Sequence, residues 1–294
     1  MKKLIIFLIV LSCSLFSQGQ DESLLPVDYP KNYTAQLNVV YATVNDWEGT
    51  MDIYRPSDNT TSTPIVINIH GGAWTHGVKE SQRGFGSFFK RGWAVANIEY
   101  RMSPIAPAPA AIEDARCALI YLIKNSAALN IDVTKIVVMG GSSGGHLALM
   151  AGLMGSDNTF DKNCSGVEKI SVAAIIDKYG VADLTNLGEF KKSKSVKAWL
   201  AEKIDNQDFL RTISPISYIT RNSPPVFIVH GNADPTVPYQ QSIDLKKRLD
   251  ETGVKNIFFT VEGGAHGKFS KEKNTEISTA MWEFLNNIGI AESK

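Results

Sequence analysis

A series of short apolar runs constrains this chain more than any other feature. They are Ile65-Val66-Ile67-Asn68-Ile69, Ala94 to Ile98, Ile136 to Met139, Val172 to Ile176, Val226 to Val229 and Ile257 to Val261. Each is nearly continuous in apolar, mostly β-branched residues. A strand with that pattern is buried on both faces, as in a parallel sheet covered by helices. Between the runs come stretches with a 3.6-residue apolar stripe, at 110–123, 240–249 and 276–288; the first reads with Asp114 and Arg116 turned outward. This alternation means an α/β fold, with a mostly parallel central sheet flanked by helices. Ahead of it, 35–44 and 48–54 alternate apolar and polar residues and read as an antiparallel pair near the sheet edge. In open sheets of this type ligands bind at the carboxyl ends of the strands. The residues that follow each run are therefore where the chemistry should lie.

The first nineteen residues stand apart. Lys2 and Lys3 precede the apolar stretch Leu4 to Phe16, and Ser17-Gln18-Gly19 supplies small residues for cleavage. Residues 1–19 read as a secretory signal, too short for a membrane span of ~20 residues. A loose lipobox ending at Cys13 offers lipid anchoring as the alternative. The expected address is secreted or periplasmic, with 20–294 a single domain and no integral membrane span. Lys+Arg and Asp+Glu each number 30, so no basic excess points to nucleic acid. Cys117 and Cys164 lack metal-site spacing. They could pair as one disulfide in an exported chain, but two separate, half-buried thiols are the preferred reading.

After the run at 136–139 comes Gly140-Gly141-Ser142-Ser143-Gly144-Gly145-His146. It holds G-x-S-x-G with Ser143 at the centre, between a strand and a helix, the context of a nucleophile elbow. A plain Gly/Ser turn is the bland alternative. After the run at 65–69 comes His70-Gly71-Gly72-Ala73-Trp74. Two glycines at a strand end can turn backbone N–H groups toward a substrate oxygen, so Gly71, Gly72 and Gly144 are the expected oxyanion donors. Trp74 either lines the pocket or packs beneath that loop. Of the five histidines, His266 in Gly263-Gly264-Ala265-His266-Gly267 follows the last strand and is the expected base. His70 belongs to the oxyanion loop and His76 follows it. His146 starts the nucleophile helix, and His230 ends a strand and orients the next loop. The expected acid is Asp234, after the run at 226–229; Asp183 competes but reads better as a helix cap or loop anchor.

The segments HGGAW, Asn97 to Pro104, GGSSGGH, HGNADPTVP and GGAHG occur in order, and with them the chain resembles α/β-hydrolase esterases of the hormone-sensitive-lipase-like and feruloyl-esterase-like (BD-FAE) groups. The resemblance covers about residues 35–290. It implies the α/β-hydrolase fold, Ser143 as nucleophile with Asp234 and His266, and no metal or organic cofactor. Two departures leave the subfamily open: HGGA stands for HGGG, and Ser142 precedes the nucleophile where the family often has another residue. The implied activity is hydrolysis of short-acyl or carbohydrate-linked (acetyl or feruloyl) esters, the substrate being a small molecule or polysaccharide-linked. An amide hydrolase on the same triad and a catalytically dead binding protein are the alternatives. Residues 184–222 exceed an ordinary connection and read as a short cap over the site, or else as a solvated surface helix.

Overall fold

The computed structural model describes residues 27–291 except 59, 104, 165 and 168; the expected signal at 1–19 and Cys13 lie outside the described residues. The strands are β1 (Tyr33–Val44), β2 (Trp47–Pro56), β3 (Thr63–Ile69), β4 (Ala94–Ile98), β5 (Ile131–Gly141), β6 (Ala174–Lys178), β7 (Val226–Gly231) and β8 (Asn256–Val261). The helices are α1 (Gly86–Phe89), α2 (Ala110–Lys124), α3 (Ser126–Leu129), α4 (Ser143–Leu153), α5 (Lys194–Leu200), α6 (Gln207–Thr212), α7 (Gln240–Thr252) and α8 (Lys271–Asn287).

All eight strands form one sheet in the order β1-β2-β4-β3-β5-β6-β7-β8. β2 runs antiparallel to both β1 and β4, and every pairing from β4 to β8 is parallel. The continuous apolar runs have their cause in the two covered faces. Ile65, Ile67 and Ile69 of β3 join Leu147, Leu149, Leu245 and Leu249 of α4 and α7 on one side. Val66 joins Phe88, Trp282 and Leu285 of α1 and α8 on the other.

Helix α2 departs from the expected outward face. Asp114 and Arg116 are fully buried. Arg101 forks onto both Asp114 oxygens at 2.8–3.0 Å and reaches Glu113 at 3.0 Å. Arg116 donates to Asp161 at 2.7 and 2.8 Å and to the carbonyls of Gly155 and Asp157. Buried charges persist when they are paired and hydrogen-bonded, and periodicity alone does not show such pairs.

The thiol reading is also corrected. Cys117 and Cys164 form a disulfide, with Cα atoms 5.4 Å apart. The reason lies one residue along, where the Arg116–Asp161 pair ties the 161–164 turn to α2. Between β6 and β7 the connection holds α5 and α6 with short 3₁₀ turns. Val196, Trp199 and Leu200 are buried against the body of the protein, so that helix is not a freely solvated one.

Candidate active site

The parallel strands deliver their ends to one cleft of about 410 Å³, lined by Gly71, Gly72, Ser142, Lys178, Tyr179 and His266 among others. Five different strands contribute: β3, β5 and β6 directly, and β7 and β8 through the loops that carry Thr236 and His266.

β5 ends at Gly141 and α4 begins at Ser143, so one residue, Ser142, makes the turn between them. Its backbone sits at φ 57°, ψ −123°, a region that non-glycine residues occupy at a cost of about 1–3 kcal/mol. Here the structure corrects the reading of Ser143 as the elbow serine. Ser143 is the first residue of α4, 1% exposed, with its hydroxyl 3.5 Å from the Tyr100 hydroxyl. The repeated residues admit two overlapping G-x-S-x-G frames, and the glycines decide between them. A Cβ on Gly140 would lie 2.1 Å from the Gly144 carbonyl oxygen, and one on Gly144 would lie 2.2 Å from the Ile69 carbonyl oxygen. Those two glycines flank Ser142 at two residues on either side and let strand and helix close on each other. Only the position of the strand end selects this frame, which the pattern of residue types does not carry.

With Ser142 at the turn, a different backbone N–H follows it from the one expected. The residue that follows Ser142 is Ser143, not Gly144. The Ser143 N–H is at the first position of a helix, where backbone donors have no intrahelical partner. Gly144 lies where the helix closes on the end of β3. Gly71 abuts the turn: a Cβ there would sit 2.9 Å from the Gly141 carbonyl oxygen. Gly72 has φ +124°, and a Cβ there would overlap the His76 carbonyl. His70 holds this loop, with Nδ1 2.7 Å from the Gly71 carbonyl and Nε2 2.8 Å from Glu99. Because the peptide is trans, a Gly71 carbonyl turned toward His70 leaves the Gly72 N–H pointing away from it.

His266 Nδ1 lies 2.6 Å from Asp234 Oδ2. Burial pushes the Asp234 carboxyl up, but bonds from His230, His266 and the Thr236 N–H outweigh it and hold the group well below the usual carboxylate range. His230 also meets Ser242 at 2.7 Å, which fixes its ring. Asp183 does not reach this cluster; its Oδ1 accepts from the Thr185 N–H and hydroxyl at 2.8 and 2.6 Å.

Trp74 is 1% exposed and stacks on Trp199 at 4.2 Å, beneath the loop and not along the cleft. Its indole donates to His146 Nδ1 at 3.2 Å. Indole nitrogen only donates, so Nδ1 accepts and Nε2–H donates to the Ile213 carbonyl at 2.9 Å. Two residues escaped the sequence reading. Tyr179 packs edge-on against His266, with ring centroids 4.8 Å apart. Lys178 precedes it, and burial draws its pKa down to about 8. Both directly follow or end β6, which was the available signal. Among the described residues no group of three His, Cys, Asp or Glu side chains could hold a metal ion. No helix there is long and apolar enough to cross a membrane.

With this geometry in hand, comparison with known proteins decides the family. The BD-FAE family profile matches residues 51–249. The chain belongs to the BD-FAE family. The chain is 29% identical to the esterase LipQ of Mycobacterium tuberculosis, over 88% of this chain and 64% of that protein. It is 28% identical to esterase LipC of the same organism, over 81% of this chain and 60% of that one. It therefore spans less than two thirds of the length of these curated relatives. Among solved structures, a truncated carbohydrate esterase from gut microbiota superposes with a TM-score of 0.72 at 28% identity, covering 88% of this chain and 99% of that one. An acetyl ester-xyloside bifunctional hydrolase from Caldicellulosiruptor lactoaceticus gives 0.72 at 27% identity, covering 84% and 91%. The fold is the α/β-hydrolase fold.

Proposed function

We propose that this BD-FAE protein is a serine hydrolase of carboxylic esters, with Ser142 as its nucleophile. The observation that carries the proposal is one cleft lined by the strained Ser142 and by His266, whose Nδ1 is 2.6 Å from buried Asp234. With Nδ1–H donated to Asp234, His266 Nε2 is left to accept the Ser142 proton. Ser142 Oγ attacks the ester carbonyl, and the carbonyl oxygen takes the negative charge. The N–H groups of Ser143 and of the Gly71-Gly72 loop receive it, each such donor being worth ~2.7–4 kcal/mol. His266 then protonates the departing alcohol. Water, deprotonated by the same imidazole, releases the acid and restores Ser142.

Short-acyl esters on carbohydrate are the proposed substrate class, acetyl or feruloyl. The relatives named for carbohydrate esters support this. The proposed site of action is outside the cytoplasm. The Cys117–Cys164 disulfide fits an oxidising compartment, in keeping with the reading of residues 1–19.

Fluorophosphonate labelling together with turnover of acetyl, butyryl, palmitoyl and feruloyl esters and matched amides tests the proposal. Ser142→Ala should lose labelling and up to ~10⁶-fold in kcat. Ser143→Ala keeps its backbone N–H and should still label. The reverse pattern restores Ser143 as nucleophile, and faster amide than ester turnover replaces the substrate class.

A further inference from the structure

A second cavity, of about 330 Å³, adjoins the cleft and shares Asn68, Gln82, Lys178, Tyr179 and Gly267 with it. Its other walls are mixed: Asn274 and Ser87 are polar, while Phe88 and Phe269 are apolar. No aspartate or glutamate lines either cavity. Lys178 lines both.

The Lys178 ammonium has no hydrogen-bond or ion-pair partner among the described residues. Lys178 is half-buried, an ammonium partly withdrawn from water without a counter-ion carries a cost, and the catalytic chemistry proposed above gives it no task. Its place is fixed by the sheet. Gly141 and Lys178 pair in the β5–β6 ladder, and the Lys178 carbonyl accepts the Ser142 N–H at 2.9 Å. The cation is thereby anchored beside the elbow. A second basic residue, Arg83, also borders the far cavity.

We propose that Lys178 binds a carboxylate of the substrate, held in the second cavity next to the scissile ester. The inference rests on the esterase reading and narrows its substrate class to esters bearing an acid group close to the reacting carbonyl. That group can lie on the alcohol side, as in an acetylated uronic acid, or on the acyl side, as in a hemiester of a dicarboxylic acid. The amide and hydroxyl groups of Asn68, Asn274 and Ser87, beside the Phe88 and Phe269 rings, suit the polar edge and apolar face of a sugar ring.

The test compares kcat/KM on two matched pairs, acetylated methyl glucuronoside against acetylated methyl glucoside, and 4-nitrophenyl hemisuccinate against 4-nitrophenyl butyrate. The native protein should prefer the acidic member of one pair by about tenfold or more, and the pair that responds names the side. Lys178→Gln should abolish the preference, chiefly through KM, and Lys178→Arg should keep it. Equal rates within both pairs, or a preference that survives Lys178→Gln, overturns the proposal. Calorimetric binding of methyl glucuronoside and of succinate to Ser142→Ala, with and without Lys178→Gln, gives a readout independent of turnover. Lys178-dependent binding without ester turnover by the native protein would leave the anion site standing and remove the esterase reading. No binding of either acid, with esters turned over normally, removes the anion site alone.

Discussion

The Asp234 side chain is wholly out of water, yet it stays ionised because four donors converge on it. Its Oδ1 takes the N–H groups of Thr236 and Val237 at 2.7 and 3.0 Å, and its Oδ2 takes His230 and His266. Replacing it with Asn would set an amide against the imidazole and favour the wrong tautomer. Asp234→Asn should therefore lower kcat by ~10⁴-fold, the scale seen when a triad acid becomes an amide. Asp183→Asn disturbs a turn bond to Thr185 and should cost about 1 kcal/mol of stability with kcat retained. Measuring kcat and Tm for both variants checks this; a collapse of kcat in the Asp183 variant alone would transfer the acid's role to it.

Helix α4 carries the elbow at its first turn, and His146 ties that turn to two other segments. The imidazole joins Trp74, which follows the Gly71-Gly72 turn, to Ile213 of the β6–β7 connection, with Trp199 edge-on at 5.3 Å. Burial lowers its pKa from 6.5 to about 4, against a partial upward pull from the Ile213 carbonyl. Folded His146 thus stays neutral where the unfolded chain takes up a proton. Its contribution to stability is complete above pH 6.5 and drains away as pH falls toward 4. A shift of this size corresponds to about 3 kcal/mol. Tm should fall between pH 6.5 and 4, and His146→Gln, less stable at neutral pH, should show a flatter profile. Parallel Tm–pH curves for the two proteins would remove His146 as the cause.

At the scale of the whole molecule, the disulfide closes a sequence separation of 47 residues between α2 and the turn after α4. Cross-links of that span stabilise by about 4 kcal/mol, chiefly by restricting the unfolded chain. The double variant Cys117→Ala/Cys164→Ala should lose stability on that scale in urea, with ester turnover preserved below the new midpoint because neither sulfur lines the cleft. A midpoint unchanged by the double substitution would mean that the Arg116–Asp161 pair alone fixes the turn. The tie sits on the α2 side of the sheet, away from the strand ends that carry Ser142, Asp234 and His266.

The sequence by itself determined the sheet class, the strand positions to within a few residues at most ends, and the segments that meet in the cleft. It could do so because a strand buried on both faces must be apolar throughout, and because glycines mark the places where backbone turns at strand ends. His266 and Asp234 were legible for the same reason: each follows a strand in a glycine- or proline-rich loop. Tertiary structure alone decided which of two adjacent serines takes the strained turn. Both frames have glycines at the required spacing, and only the β5 register, pinned by the Ser142 N–H bond to the Lys178 carbonyl, puts Ser142 at the apex and sends Ser143 into the core. Tertiary structure also decided the burial of Asp114 and Arg116, whose partners Arg101 and Asp161 come from other segments, and the pairing of Cys117 with Cys164. Each of these outcomes depends on a neighbour distant in sequence, and periodicity reports only on a segment's own faces.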